Sequence, residues 1–140
     1  MEIGDKERYT RTISESDNYM FGGIIGDSNP WHFDEEFCKK TVFETRIAYG
    51  MLPSSYFATV FSKMFEKPVL YLEQNLTFLK PVKLNDTITA ECEVIKLNGD
   101  KVTLSTNVKN QNEEMVVSGE AVLKIIDDIE NWGEKNERTR

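Results

Sequence analysis

The sequence has no long hydrophobic run, few cysteines and a single histidine, and each scarcity excludes a class of protein. Among its 140 residues no apolar stretch approaches the ~20 residues needed to cross a membrane. Cys38 and Cys92 have neither Cys-x-x-Cys nor metal-ligand spacing, so we expect buried free thiols rather than a disulfide, and no metal site. The first residues, Met1 to Lys6, lack the basic region and apolar core of a secretory signal. We therefore expect a cytoplasmic protein that does not contact membranes.

Clustered positive charge is also missing from the chain. The formal net charge is −7, and the lysines and arginines are spread thinly. Nucleic acids and anionic lipids are bound by clusters of these residues, so the charge argues against both as partners, although a phosphorylated ligand is not excluded. A chain of 140 residues is expected to form a single domain, 1–140, in which 127–140 are a charged tail.

The N-terminal part predicts a short strand and two capped helices. The strand covers 9–13, where apolar and polar residues alternate weakly. Ser14, with an acid three residues later, is typical of a helix N-cap and predicts a helix over 14–24. Asp34 can cap a second helix over 35–40, which has acids in its first turn and lysines in its last.

The rest of the chain predicts a buried helix and an antiparallel sheet. After an ordered loop over 41–49, residues 50–65 carry almost no charge and place apolar side chains on nearly every face, so we expect a helix buried nearly all round. A sheet must curl around such a helix, and alternating apolar residues separated by turns near Asn98 and Asn110 supply its strands. The first strand has apolar residues on both parities and is expected to be central. The predicted strands cover 69–79, 88–94, 102–108 and 117–125.

The candidate for chemistry is the turn that holds the only histidine. The segment Gly26-Asp27-Ser28-Asn29-Pro30-Trp31-His32 places an acid five residues before an imidazole, in a context that favours a turn. A carboxylate and an imidazole directed at one small volume can activate a water molecule. Taken alone, such a turn is more often a helix entry with a solvated imidazole. The turn by itself leaves both interpretations open.

Four segments of the chain carry a resemblance to a known family. They are Gly26 to His32, Arg46-Ile47-Ala48-Tyr49-Gly50-Met51-Leu52 with Ser55, Leu76 to Val82, and Gly119-Glu120-Ala121. Together they resemble the MaoC-type (R)-specific enoyl-CoA hydratases, which have the hot-dog fold. The resemblance covers about residues 8 to 126 and implies an α+β hot-dog fold, in which an antiparallel sheet wraps around a long buried central helix.

The resemblance implies reversible hydration of a trans-2-enoyl-CoA to the (R)-3-hydroxyacyl-CoA, with no cofactor, since coenzyme A is part of the substrate. Asp27 would be the main base, and His32 would orient the water and move a proton, because imidazole titrates near neutral pH. The Gly50 N–H, at the positive end of the helix dipole, would bind the thioester oxygen. Ser55 would help to orient the pair or would bond back to its own helical turn. Asn29 is expected to tie the turn together.

Two residues depart from the pattern of the family. Tyr49 stands where many relatives have histidine, and Trp31 stands where a smaller aliphatic residue is usual. Trp31 is therefore expected either to narrow the acyl pocket or to enter a subunit contact. Met51, Leu52 or Tyr56 are candidates for the lining of an acyl tunnel. The resemblance also implies a homodimer in which two sheets join edge to edge.

Two other functions share the expected fold. A hot-dog acyl-CoA thioesterase would place a carboxylate on or near the central helix, yet residues 50–63 contain no acid. A non-catalytic acyl-CoA-binding module would keep the pocket without needing Asp27 or His32. The presence of this pair favours the hydratase, and the carrier of the acyl group, coenzyme A or an acyl-carrier protein, is left open.

Overall fold

One antiparallel sheet of five strands packs against a long helix in the computed structural model, which describes residues 1–128 and 130. The predicted charged tail lies mostly outside the described residues. The strands are Lys6–Thr12 (β1), Val69–Phe78 (β2), Thr87–Asn98 (β3), Lys101–Lys109 (β4) and Met115–Ile125 (β5). The helices are Glu15–Ile25 (α1), Glu35–Cys38 (α2) and Met51–Met64 (α3), with a 3₁₀ turn over Pro30–His32. The sheet order is β1-β3-β4-β5-β2, so the predicted α+β arrangement is confirmed.

The core lies between α3 and one face of the sheet. Strands β3, β4 and β5 form the predicted meander, and their alternating apolar side chains are buried against the helix. The two turns of the meander also lie where the sequence predicts them, the first at Gly99, whose φ is +63°. Fully buried side chains of this core include Phe57, Val60, Ile88, Ala90, Cys92, Val94, Val102, Leu104, Val108, Ala121 and Leu123.

Strand β2 lies at the edge of the sheet, so the prediction of a central strand is wrong. Its register against β5 shifts between Tyr71 and Glu73, where Leu72 is left without a partner. Tyr71, before the bulge, lies opposite the buried Leu123, and Phe78, after the bulge, lies opposite the buried Val117. The bulge thus puts an odd-numbered and an even-numbered aromatic residue on the same face of the strand. The bulge, and not burial of both faces, therefore explains the apolar residues on both parities.

Helix α3 is buried on one face only, in contrast to the predicted burial nearly all round. The buried side chains include Leu52, Phe57 and Phe61, whereas Met51 and the small residues Ser55, Ala58 and Ser62 are exposed. A single five-stranded sheet covers one side of a helix, and a face of serine and alanine has little apolar area to bury. The helix begins one residue later and ends one residue earlier than predicted, and Gly50 is its N-cap.

The two N-terminal helices begin at their predicted caps. Ser14 and Asp17 form a capping box, in which each side chain accepts a hydrogen bond from the backbone N–H of the other. Asp34 accepts from the Phe37 N–H at the start of α2. This helix ends at Cys38, two residues short of the prediction, where the chain turns back. Both cysteines are buried free thiols, as predicted.

Candidate active site

The end of α1 delivers the candidate turn to the site. Gly26 caps the helix with a φ of +72°, a left-handed conformation that glycine adopts readily, and its N–H bonds to the Gly22 carbonyl. The next residue is Asp27, whose Oδ1 accepts a hydrogen bond of 2.9 Å from the Asn29 N–H. Asn29 is extended, with a ψ of 125°, and Pro30 then opens the 3₁₀ turn that ends at His32. The turn is therefore built by local bonds.

The structure brings the side chains of Asp27 and His32 together. Oδ2 of Asp27 lies 4.0 Å from Nε2 of His32, too far for a direct hydrogen bond. The other ring nitrogen, Nδ1, lies 2.8 Å from the Ile47 carbonyl oxygen. Because a carbonyl oxygen only accepts, Nδ1 carries a proton, and the neutral imidazole therefore presents a lone pair at Nε2. The imidazole is 12% exposed and the carboxylate 43%, so the carboxylate is the more accessible member.

Tyr49 and Asn18 support this pair through ring stacking and hydrogen bonds. The Tyr49 ring stacks on the His32 ring at a centroid distance of 4.0 Å, and its hydroxyl donates to the Asp27 carbonyl oxygen at 2.7 Å. Burial raises the pKa of Tyr49, which keeps this hydroxyl protonated as a donor. Asn18 is fully buried, donates to the His32 carbonyl at 2.9 Å and accepts from the Tyr49 N–H at 3.0 Å. The role of Asn18 was not predicted from the sequence. Its one signal there is that asparagine, a poor helix former, lies within a predicted helix.

An open cleft of about 430 Å³ joins His32 to the start of α3. Gly50 lines it, and among the described residues no backbone carbonyl accepts a hydrogen bond from the Gly50 N–H. A Cβ at this position would lie 2.8 Å from two carbon atoms of the Phe78 ring, so glycine lets the helix start approach β2 closely. The cleft is mainly apolar, and its other lining residues include Phe43, Ile47, Met51, Leu79, Pro81 and Val117.

The remaining predicted residues lie at or near this cleft without all entering it. Met51 lines the cleft, whereas Leu52 is buried in the core and the Tyr56 ring packs 5.3 Å from that of Tyr9. The Ser55 hydroxyl donates to the Leu52 carbonyl at 2.6 Å, which is the bond to its own helical turn that the sequence allows. Its role in orienting the pair stays a prediction. Asn29 ties the turn through its backbone N–H, and no other described residue bonds to its side chain.

Trp31 lies at a second cleft, which shares Phe43 and Ile47 with the cleft beside His32. It packs edge-on against Phe43, with ring centroids 5.9 Å apart, and lines a second apolar cleft of about 470 Å³. Phe43 and Ile47 line both clefts, but Trp31 lines only the second. Trp31 thus does not line the cleft beside His32 but contacts Phe43, which does. Narrowing of the acyl pocket and entry into a subunit contact both stay predictions.

Arg46 fixes the loop over 41–49, which the sequence predicts to be ordered. Its guanidinium bonds to Glu15 at 2.7 Å, to Glu35 at 3.2 Å and to the Tyr19 hydroxyl, and so joins the loop to α1 and α2. The hydrogen bond from Arg46 lowers the pKa of Glu15. The pKa of Glu35 is lowered by the hydroxyl of Thr45 and then by Arg46. These charge-assisted bonds position Ile47, whose carbonyl holds the imidazole.

The described residues offer neither a metal-binding cluster nor a membrane-spanning helix. Within residues 1–128 and 130, no cluster of three or more histidine, cysteine, aspartate or glutamate side chains is arranged to hold a metal ion. No helix in that part of the chain is long and apolar enough to cross a membrane. The cytoplasmic location stays a prediction.

The chain is similar to proteins with a shared domain. The family described as MaoC like domain matches residues 2–118. The (R)-specific enoyl-CoA hydratase of Rhodospirillum rubrum is 38% identical, over 87% of this chain and 86% of that protein. The mitochondrial 3-hydroxyacyl-[acyl-carrier-protein] dehydratase of Arabidopsis thaliana is 39% identical, over 86% of this chain and 75% of that protein. The solved (R)-hydratase from A. caviae superposes with a TM-score of 0.86 at 35% identity, covering 90% of this chain and 98% of that one.

Proposed function

The chain belongs to the MaoC-like domain family, and we propose that it is an (R)-specific enoyl-CoA hydratase that adds water to a trans-2-enoyl-CoA. The observation that carries this proposal is the placement of Asp27 and His32, 4.0 Å apart, with His32 on a cleft that Gly50 also lines. The reaction needs a base for water and a donor for the thioester oxygen, and the site offers both. It needs no cofactor, because coenzyme A is part of the substrate.

The carboxylate and the imidazole would bind the reacting water together. A separation of 4.0 Å lets one water bond to Oδ2 of Asp27 and to the lone pair on Nε2 of His32. The water loses a proton to Asp27 while its oxygen bonds to C3 of the enoyl group. The proton then passes to C2 through the pair, so one water is added and both residues regain their starting protonation states.

The start of α3 would stabilise the charge that builds on the thioester oxygen. As the water oxygen bonds to C3, electron density moves to the thioester and gives it enolate character. The Gly50 N–H lies at the positive end of a helix of 14 residues, so it can donate to this oxygen with the support of the helix dipole. The apolar walls of the cleft would hold the acyl chain.

Ultraviolet absorbance of crotonyl-CoA, read together with a thiol assay, tests the proposal. Hydration removes the conjugated absorption without release of thiol, because the thioester stays intact. Release of thiol would identify a thioesterase, which the absence of an acid in α3 disfavours. An unchanged spectrum with saturable binding would identify a binding module. Either of these results would reject the hydratase.

An acyl-carrier protein is the second candidate for the carrier. The matched relatives include both enoyl-CoA hydratases and a 3-hydroxyacyl-[acyl-carrier-protein] dehydratase, so their names support either thioester. A comparison of kcat/KM for the same acyl group on the two carriers decides between them.

We further propose that the chain forms a homodimer through the free edge of β2. Strand β2 ends the sheet, and the residues described provide no strand to pair with its outer edge. Tyr71, Phe78 and Leu79 are about half exposed there, beside the exposed face of α3. Pairing of two such edges would satisfy the unpaired backbone groups and cover apolar surface. Light scattering that gives the mass of one chain at micromolar concentration would reject the dimer.

A further inference from the structure

We infer that Tyr49 is the positioning residue of this site, because one side chain holds both the imidazole of His32 and the backbone of Asp27. The inference rests on the proposed function, since it names what aligns the proposed catalytic pair. Tyr49 stands where many members of the family have histidine, so this double contact is a feature of the present chain.

The ring of Tyr49 sets the plane of the imidazole. The two rings are stacked, with centroids 4.0 Å apart and planes 28° apart. The bond from Nδ1 to the Ile47 carbonyl holds one point of the imidazole, but a single bond leaves the ring free to rotate about it. A stacked neighbour removes that freedom, so Nε2 stays directed at Asp27.

The hydroxyl of Tyr49 sets the position of the carboxylate. It donates to the Asp27 carbonyl oxygen at 2.7 Å, while the carboxylate itself binds the Asn29 N–H. Asp27 is thus held at its backbone and at one side-chain oxygen, and the other oxygen faces His32. Tyr49 is only 4% exposed, whereas the Asp27 carboxylate is 43% exposed, so Tyr49 acts through the pair.

The surrounding chain is adapted to this tyrosine. Asn18 bonds to the Tyr49 N–H and to the His32 carbonyl, so both residues are fixed to the same buried amide. A Cβ on Gly22 would lie 2.8 Å from Cζ of Tyr49, whereas a Cβ on Gly23 would meet nothing within 4 Å. Helix α1 therefore needs a residue without a side chain at position 22, where the Tyr49 ring packs against it.

Replacement of the hydroxyl alone separates positioning from structural support. Tyr49→Phe keeps the stacked ring and frees the Asp27 carbonyl, so kcat for crotonyl-CoA should fall roughly tenfold or more, since small misplacements of reacting groups lower rates by up to ~100-fold. KM should stay within about twofold, because no group that binds the substrate is lost. Tyr9→Phe is the matched control, as its hydroxyl also takes part in one hydrogen bond, from Arg11, on β1 outside the cleft. A kcat in Tyr49→Phe equal to that of the control overturns the inference.

Proton NMR of the imidazole tests the same contact without any need for catalysis. His32 is the only histidine, so its ring protons give the only histidine signals. They should be shifted upfield by the Tyr49 ring in the wild type and in Tyr49→Phe, and this shift should vanish in Tyr49→Leu. Unmoved signals in Tyr49→Leu would overturn the inference, whereas an inactive wild type with the expected shifts would reject only the proposed function.

Two single substitutions at the neighbouring glycines of α1 test the same contact if Tyr49→Leu does not fold. Gly22→Ala displaces the tyrosine ring and should move the imidazole signals and lower kcat. Gly23→Ala, one residue further along α1, should change neither, because its Cβ meets no atom. Equal effects of the two substitutions would overturn the inference.

Discussion

Replacement of Asn18 by leucine should destabilise the protein, because two backbone groups depend on this side chain. Asn18 is fully buried, and its amide bonds to the His32 carbonyl and to the Tyr49 N–H at 2.9 and 3.0 Å. Leucine has a similar size and fills the space, so water does not enter to replace the amide. Both backbone groups are then buried without a partner.

The magnitude follows from the loss of these two bonds. Each buried unsatisfied group costs about 1–3 kcal/mol of folding free energy. Burial of the leucine side chain returns roughly 1.5–3 kcal/mol, so a net loss of about 2 kcal/mol is expected. For a chain of this length, such a loss lowers the melting temperature by about 6–8 °C.

Thermal unfolding followed by circular dichroism measures this effect. Asn107→Leu is the matched control, since Asn107 is half-buried on β4 and its side chain bonds to no other described residue. The control should change stability by no more than about 0.5 kcal/mol. If Asn18→Leu melts at the same temperature as Asn107→Leu, the amide does not support the two backbone groups and the reasoning is refuted.

Three further substitutions test other parts of the site. Arg46→Met should lose less stability on acidification than the wild type. In the wild type, Arg46 lowers the pKa of Glu15 below its ordinary value of 4.5, which stabilises the fold at pH values above 4.5. This stabilisation is lost as the pH falls through the lowered pKa, and the variant does not have it to lose. Equal losses of melting temperature on acidification in the two proteins would contradict the prediction. Gly50→Ala should lower kcat/KM roughly tenfold, because its Cβ would lie 2.8 Å from carbons of the Phe78 ring, and wild-type rates would show that this contact is easily relieved. Phe43→Ala should raise kcat/KM for longer enoyl-CoAs relative to crotonyl-CoA by joining the two clefts that share this wall, and an unchanged preference would show that Phe43 does not bound the acyl chain.

The parts of the fold that the sequence predicts best are those with local signals. The capping box at Ser14 places the start of α1, and the turn at Gly99 places the first hairpin of the meander. The position of β2 could not be read in the same way, because the bulge at Leu72 reverses the parity of the strand. A bulge depends on the pairing partner, which a single sequence does not reveal.

In the candidate site, too, the contacts between residues close in sequence are predictable, whereas those between distant residues are not. Asp27 and His32 lie within one short turn, so their proximity is predictable from spacing and local turn chemistry. Asn18 and Tyr49 are 31 positions apart, and only the packing of α1 against the loop before α3 brings them together. Trp31 lies in the same turn but lines a different cleft, since its ring packs against Phe37 and Phe43, contacts that the sequence does not reveal.

The most direct test of the account is the rate of crotonyl-CoA hydration by the wild type, Asp27→Asn and His32→Ala, measured as loss of absorbance. The wild type should remove the conjugated absorption, and each variant should be slower by roughly 10²–10⁴-fold, the loss typical of a missing acid or base. Both variants should keep the circular dichroism spectrum of the wild type, so that the loss is chemical. Near-normal rates in either folded variant, or no hydration by the wild type, would contradict the assignment of the chemistry to this pair.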